Sequence, residues 1–134
     1  MYQHILIPTD GSELAERAVT HGLSLAKFVG AKVTVIIVAE AFAKYTEQIK
    51  KQNASVLDRA ANAAKQAGVA CDTMKAQDVQ PYEAIIAAAM DRDCDLIVMA
   101  SHGRSGLSAM VLGSVTNKAL TYTKVPVLVV PSRS

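Results

Sequence analysis

Tryptophan is absent from the chain, and only four tyrosines and two phenylalanines supply aromatic rings. A core without large rings has to be assembled from Val, Ile, Leu and Ala, which suits a sheet covered by alanine-rich helices. Charge of one sign is also missing: 14 Lys and Arg stand against 12 Asp and Glu, a formal net charge of +2. With neither a basic stripe nor stacking rings, the composition argues against nucleic acid as a main partner. No stretch reaches the ~20 apolar residues that span a bilayer, so no membrane is expected. The opening Met1 to Ile7 turns polar by Thr9-Asp10 and reads as a strand, not as a signal peptide. The expected location is cytoplasmic. Cysteine is limited to Cys71 and Cys94, which match no metal or redox spacing and are expected as reduced, partly buried thiols.

What is present is patterned. The 134 residues are 51% hydrophobic and 19% charged, the composition of one globular domain over 1–134. Ile5-Leu6-Ile7 forms a short buried strand ending at Pro8, and Thr9-Asp10-Gly11-Ser12 a turn with Ser12 as helix cap. Leu14, Ala18, Gly22, Leu25 and Val29 recur at helical spacing up to Gly30. A strand over Lys32–Ala39 precedes a second helix from Phe42 to Ala67, with Tyr45, Ile49, Val56, Ala60 and Ala63 on its inner face. Val69–Ala76 reads as an edge strand. Pro81 opens a third helix to about Arg92 that buries Tyr82, Ile85, Ile86 and Ala89. Asp95–Ala100 is a buried strand, Ser114–Thr123 a last helix and Val125–Val130 a last strand. Alternation of this kind predicts an α/β fold of three layers, a parallel five-stranded sheet with helices on both faces. Ligands in such folds bind beyond the carboxyl ends of the strands, at the switch in strand order. That selects Pro8 to Ser12, the end of the second strand near Val38, and Met99 to Gly113.

The strongest chemical feature runs from Met99 through Gly103 and Gly106 to Gly113-Ser114-Val115-Thr116. A loop leaves a buried strand, and a Gly-Ser-Val-Thr opens the next helix. Glycines let backbone N–H groups reach an anion unobstructed, and a helix start adds unpaired N–H groups and positive dipole. Ser114 and Thr116 add hydroxyls for phosphate oxygens or a phosphate-bound metal. Residues 99–116 therefore read as a holder of nucleotide phosphates. Neither a G-x-x-x-x-G-K-[ST] P-loop nor a G-x-G-x-x-G dinucleotide fingerprint is present.

From Tyr2 to Val130 the chain resembles the universal stress protein family. ATP-binding members of that family carry G-x2-G-x9-G-[ST] between the fourth strand and the last helix, and Ala100, Gly103, Gly113 and Ser114 match those positions. The resemblance implies an adenine nucleotide α-hydrolase-like, Rossmann-like sheet. It implies that Pro8, Thr9 and Asp10 line the adenosine, that Val38 touches the base, and that Met99, Ala100, His102, Gly103, Gly113, Ser114, Val115 and Thr116 contact ribose and phosphates. ATP is the implied ligand, with Mg2+ or Mn2+ held mainly by its phosphates. A homodimer through Val125–Val130 is the implied assembly. Ala100 departs from the motif: if its backbone needs positive φ, the methyl costs on the order of 1 kcal/mol, and if only smallness matters it is tolerated.

Several residues carry plainer alternatives. Asp10 either caps the first helix or, as the resemblance implies, contacts the ribose. His102 is expected on the solvent side of its loop, in occasional contact with phosphate, and Arg104 either lies near the phosphates or is solvated. Glu40 and Glu47 are expected to be solvated. Asp91, Asp93 and Asp95 alternate like a calcium loop, but Leu96 stands at the sixth place and His102 at the twelfth, which excludes that reading. Three functions fit these residues: a stress-response regulator that binds nucleotide with little turnover, a slow ATPase or nucleotidyl-transfer enzyme, and a nucleotide-free dimerisation module. No carboxylate or histidine pair is recognisably set to activate water against a γ-phosphate, which favours the first.

Overall fold

A hydroxyl starts each of the first two helices and a glycine ends each. In α1 (Glu13–Val29) Ser12 Oγ accepts the Ala15 N–H at 3.2 Å, and in α2 (Glu47–Ala67) Thr46 Oγ1 accepts that of Ile49 at 3.2 Å. Gly30 and Gly68 close them in the left-handed region, at φ 76° and 74°. α3 (Pro81–Asp91) opens on its proline and stops without a glycine; Asp93, two residues on, takes φ 54° instead. α4 (Ser114–Tyr122) begins at Gly113, which has no capping side chain to offer. The structure, a computed structural model, describes residues 1–40, 46–78, 80–103 and 112–131. Phe42 and Tyr45, residues 104–111 with Arg104 and Gly106, the Glu40 side chain and residues 132–134 lie outside the described residues.

The strands β1 (His4–Thr9), β2 (Lys32–Glu40), β3 (Cys71–Asp78), β4 (Leu96–Ala100) and β5 (Val127–Val130) form one parallel sheet in the order β3-β2-β1-β4-β5. The expected three-layer α/β fold is what forms, and β3 is the edge strand the sequence indicated. Alternation along the central strands divides the core. Ile5, Ile7, Val33, Val35 and Val98 face α1 and α2, while Leu6, Ile36, Ile97 and Met99 face α3 and α4.

Three helices depart from their expected stripes. On α1, Leu14, Leu25 and Val29 are only partly buried, and Ala15, Ala18, Val19, Gly22, Leu23 and Ala26 meet the sheet. The small residues set the line of closest approach: a Cβ on Gly22 would lie 2.5 Å from Ile7 Cδ1. On α2 the buried positions are Leu57, Ala60 and Ala64, with Ala63 exposed. Tyr82 and Ile86 on α3 are half-buried, and Ala84 and Ala88 replace them in the core.

The amino-terminal edge of the sheet is tied by polar bonds. The buried His4 places Nε2 2.7 Å from Thr34 Oγ1 and Nδ1 2.9 Å from the Arg92 carbonyl. Thr34 donates to Asp72 Oδ1 at 2.9 Å, and Arg92 donates to Asp72 Oδ2 at 2.6 Å. Asp95, expected as the first strand residue, instead precedes β4, and its carboxylate accepts the N–H groups of Gln3 and His4. These bonds fix the end of the molecule opposite the glycine loop.

Candidate functional site

β1 and β4 are neighbours in the sheet, and the chain leaves them in opposite directions, towards β2 and towards β5. This is the switch point that opens a crevice at the carboxyl ends of the strands. Pro8 and Thr9 are the last residues of β1, and Met99 and Ala100 the last of β4. Val38, near the end of β2, packs on the α3–α4 side with Met99, the face to which alternation also assigns Pro8. Thr9 points to the other face. It is buried, its Oγ1 accepts the Gly11 N–H at 3.1 Å, and it lines a cavity of about 120 Å3 between α1 and α2 that also touches Val19, Val56 and Ala60.

Asp10 is not the cap of α1; Ser12 is. Its Oδ1 accepts the Ser12 N–H at 2.9 Å, which holds the carboxylate over the switch point, and Oδ2 reaches the loop after β4. A Cβ on Gly103 would come within 2.9 Å of that oxygen. Gly113 returns to the same loop from the other side. Its N–H donates to the Ser101 carbonyl at 2.8 Å, and a Cβ there would meet His102 Cα and Ser101 O at 3.2 Å and Gly103 N at 3.8 Å. Gly113 therefore packs on the backbone from Ser101 to Gly103, while Gly103 faces the Asp10 carboxylate, and close approach disfavours a side chain at either position. Gly113 has φ −61°, and Gly103 is not among the positive-φ glycines.

Ala100 resolves the departure from the motif. It is a β4 residue paired with Val130 and has no positive φ, so the methyl carries no backbone strain. His102 departs from expectation. It is buried, not on the solvent side, because Gly113 packs on its backbone and its Nδ1 lies 3.0 Å from Ser101 Oγ. Thr116 is likewise buried, and its hydroxyl donates to the Ala100 carbonyl at 2.8 Å, so its single proton is already used. Ser114 is exposed, and the Val115 side chain packs on the α3–α4 core, which leaves only its backbone towards the crevice.

The start of α4 has an electrostatic character the other helices lack. Acidic residues occupy the first turns of α1, α2 and α3, but not that of α4. Its first intrahelical bond runs from Asn117 N to Gly113 O at 2.9 Å, so the N–H groups of Ser114, Val115 and Thr116 precede the helical ladder. Such an end can take an anion through backbone donors and dipole. The role of Ser101 was not legible in the sequence: it stands in an unspecified motif position, yet its carbonyl anchors Gly113. Among the described residues no group of three or more His, Cys, Asp or Glu is gathered to hold a metal ion, and no helix is long and apolar enough to cross a membrane.

A model of the Universal stress protein family matches residues 1–131. Universal stress protein MJ0531 of Methanocaldococcus jannaschii is 31% identical over 97% of this chain and 82% of its own length. The solved structure of hypothetical protein MJ0577, from the same organism, superposes with a TM-score of 0.82 at 29% identity, covering 100% of this chain and 99% of that one. A universal stress protein solved in complex with cAMP superposes with a TM-score of 0.74 at 27% identity, over 97% of each chain.

Proposed function

The chain belongs to the universal stress protein family, and on that premise we propose that it binds an adenine nucleotide, ATP in particular, at the crevice between β1 and β4. The adenosine lies against Pro8, Val38 and the backbone of Thr9, with Asp10 on the ribose. The phosphates lie against the backbone of Met99 to Gly103 and of Gly113 to Thr116, with the Ser114 hydroxyl and His102 at their margin. The observation that carries this reading is the packing of Gly113, at the start of α4, on the backbone that follows β4, where a Cβ would lie 3.2 Å from His102 Cα and 3.8 Å from Gly103 N. The relative crystallised with cAMP supports the adenine half of the ligand. Mg2+ or Mn2+ would ride on the phosphates, since the donors here are backbone N–H groups and one hydroxyl. We propose a regulatory ligand with little turnover, in a cytoplasmic protein.

We also propose a homodimer through the β5 edge, whose Val127, Leu128 and Val129 are only half-buried at the end of the sheet. Light scattering with and without Val129→Lys tests this: a dimer that becomes a monomer is the expected result.

Nucleotide binding is tested by acid extraction of the purified protein, and by thermal shift and calorimetry with ATP, ADP, AMP and cAMP. Ligand at 100 times Kd should add about 2.7 kcal/mol of stability. No bound nucleotide and no shift with any of the four overturns the reading.

A further inference from the structure

We propose that Thr116 is a positioning residue whose hydroxyl is a latch that sets where the phosphate-facing start of α4 points, and is not itself a phosphate ligand. The inference rests on the nucleotide reading above. Two hydrogen bonds hang the helix start from consecutive carbonyls at the end of β4: Gly113 N–H to Ser101 O, and Thr116 Oγ1 to Ala100 O, each 2.8 Å. Both run directly from the start of α4 to the chain at the end of β4, so they tie the helix start to the strand. Gly113 supplies no side-chain cap, and Thr116, three residues on, reaches past it to the strand.

A hydroxyl has one proton, and that of Thr116 goes to a buried carbonyl. The side chain is therefore spent as a donor and shielded from the crevice. What it controls is the direction of the Ser114 and Val115 N–H groups, and donors of this kind act on an anion only when aimed correctly.

The test compares wild type with Thr116→Val, which keeps the shape and removes the donor, and Thr116→Ser, which keeps the donor. Affinities for ATP and for adenosine are measured by calorimetry. The expected result is that Thr116→Val loses about tenfold or more in ATP affinity with adenosine affinity unchanged, while Thr116→Ser binds both as wild type does. Equal loss of both ligands in Thr116→Val makes the residue merely structural and overturns the inference, as does unaltered ATP binding. Should Thr116→Val fail to fold, Thr116→Ser still decides: loss of ATP with the hydroxyl in place overturns the latch. A wild type that binds neither ligand overturns the nucleotide reading itself, and the latch with it.

Discussion

Gly103 lies against the carboxylate of Asp10, so near that a Cβ on the glycine would sit 2.9 Å from Oδ2. The carboxylate is not free to swing away, because Oδ1 holds the Ser12 N–H at 2.9 Å. Gly103→Ala must therefore displace Asp10 or shift the loop that follows β4. Either movement disturbs the proposed ribose contact while leaving the sheet alone. Calorimetry should find ATP affinity reduced at least tenfold, with urea stability within about 1–2 kcal/mol of wild type.

Gly113 is less forgiving. Its hypothetical Cβ meets main-chain atoms, His102 Cα and Ser101 O at 3.2 Å, and main chain cannot rotate out of the way. Gly113→Ala should lose ATP binding and also stretch the Gly113–Ser101 bond. The expected signature is a larger loss of stability than for Gly103→Ala, about 1–3 kcal/mol by urea denaturation.

The fold was legible because its signals are local. Ser12, Gly30 and Gly68 mark helix ends whose hydrogen bonds form where the residues stand, and Ile5-Leu6-Ile7 needs only its neighbours to read as a buried strand. The crevice was legible for a similar reason: strand alternation fixes which loops meet at the carboxyl edge. What sequence could not convey was which groups would be consumed by one another. The proton of Thr116 is taken by Ala100, a residue 16 positions away, and His102 is buried by a glycine that returns from across the loop. Periodicity placed Ala18 and Gly22 on the inner face of α1, as found, but also drew in Leu14, Leu25 and Val29, which are only partly buried. The sheet instead meets the helix along its small side chains.

Gly22 makes that packing testable. A methyl added there would fall 2.5 Å from Ile7 Cδ1 and 3.5 Å from Val98 Cβ, in a fully buried part of the core. The fully buried Ile7 must change rotamer within the core to make room, and that overpacking should exceed the helix propensity gained on replacing glycine. Gly22→Ala should destabilise the protein by about 1–3 kcal/mol in urea denaturation, with nucleotide affinity unchanged.

Asp95 predicts part of the acid limb of stability. Burial works against its charge, but N–H bonds from His4, Gln3 and its own backbone prevail, with His4 adding attraction, and hold the carboxyl below its ordinary value. A carboxyl lower in the folded state than in the unfolded one stabilises above the unfolded value, and that contribution is lost as pH falls through the folded one. Asp95→Asn should therefore cost stability at neutral pH, and the difference from wild type should shrink from about pH 4 downwards. Urea midpoints measured for both proteins across that range check the sign.

The two thiols should part company under a thiol reagent. Cys94 is buried, and burial, followed by the negative charges of Asp95 and Asp72, pushes it up to about 11 against the opposing pull of Arg92 and Lys32. Cys71 is raised as well, by burial and then by Asp72, but it is only partly covered on the edge strand β3. The thiolate is the reacting species, so a high value and poor access act in the same direction at Cys94. At pH 8 the native protein should release one equivalent of chromophore from Ellman's reagent, slowly, and Cys71→Ser should abolish it. The second equivalent should appear only at the urea concentration that unfolds the sheet. Rapid labelling of Cys94 in the native protein would mean that the turn joining α3 to β4 opens far more readily than its hydrogen bonds to His4 and Ala89 allow.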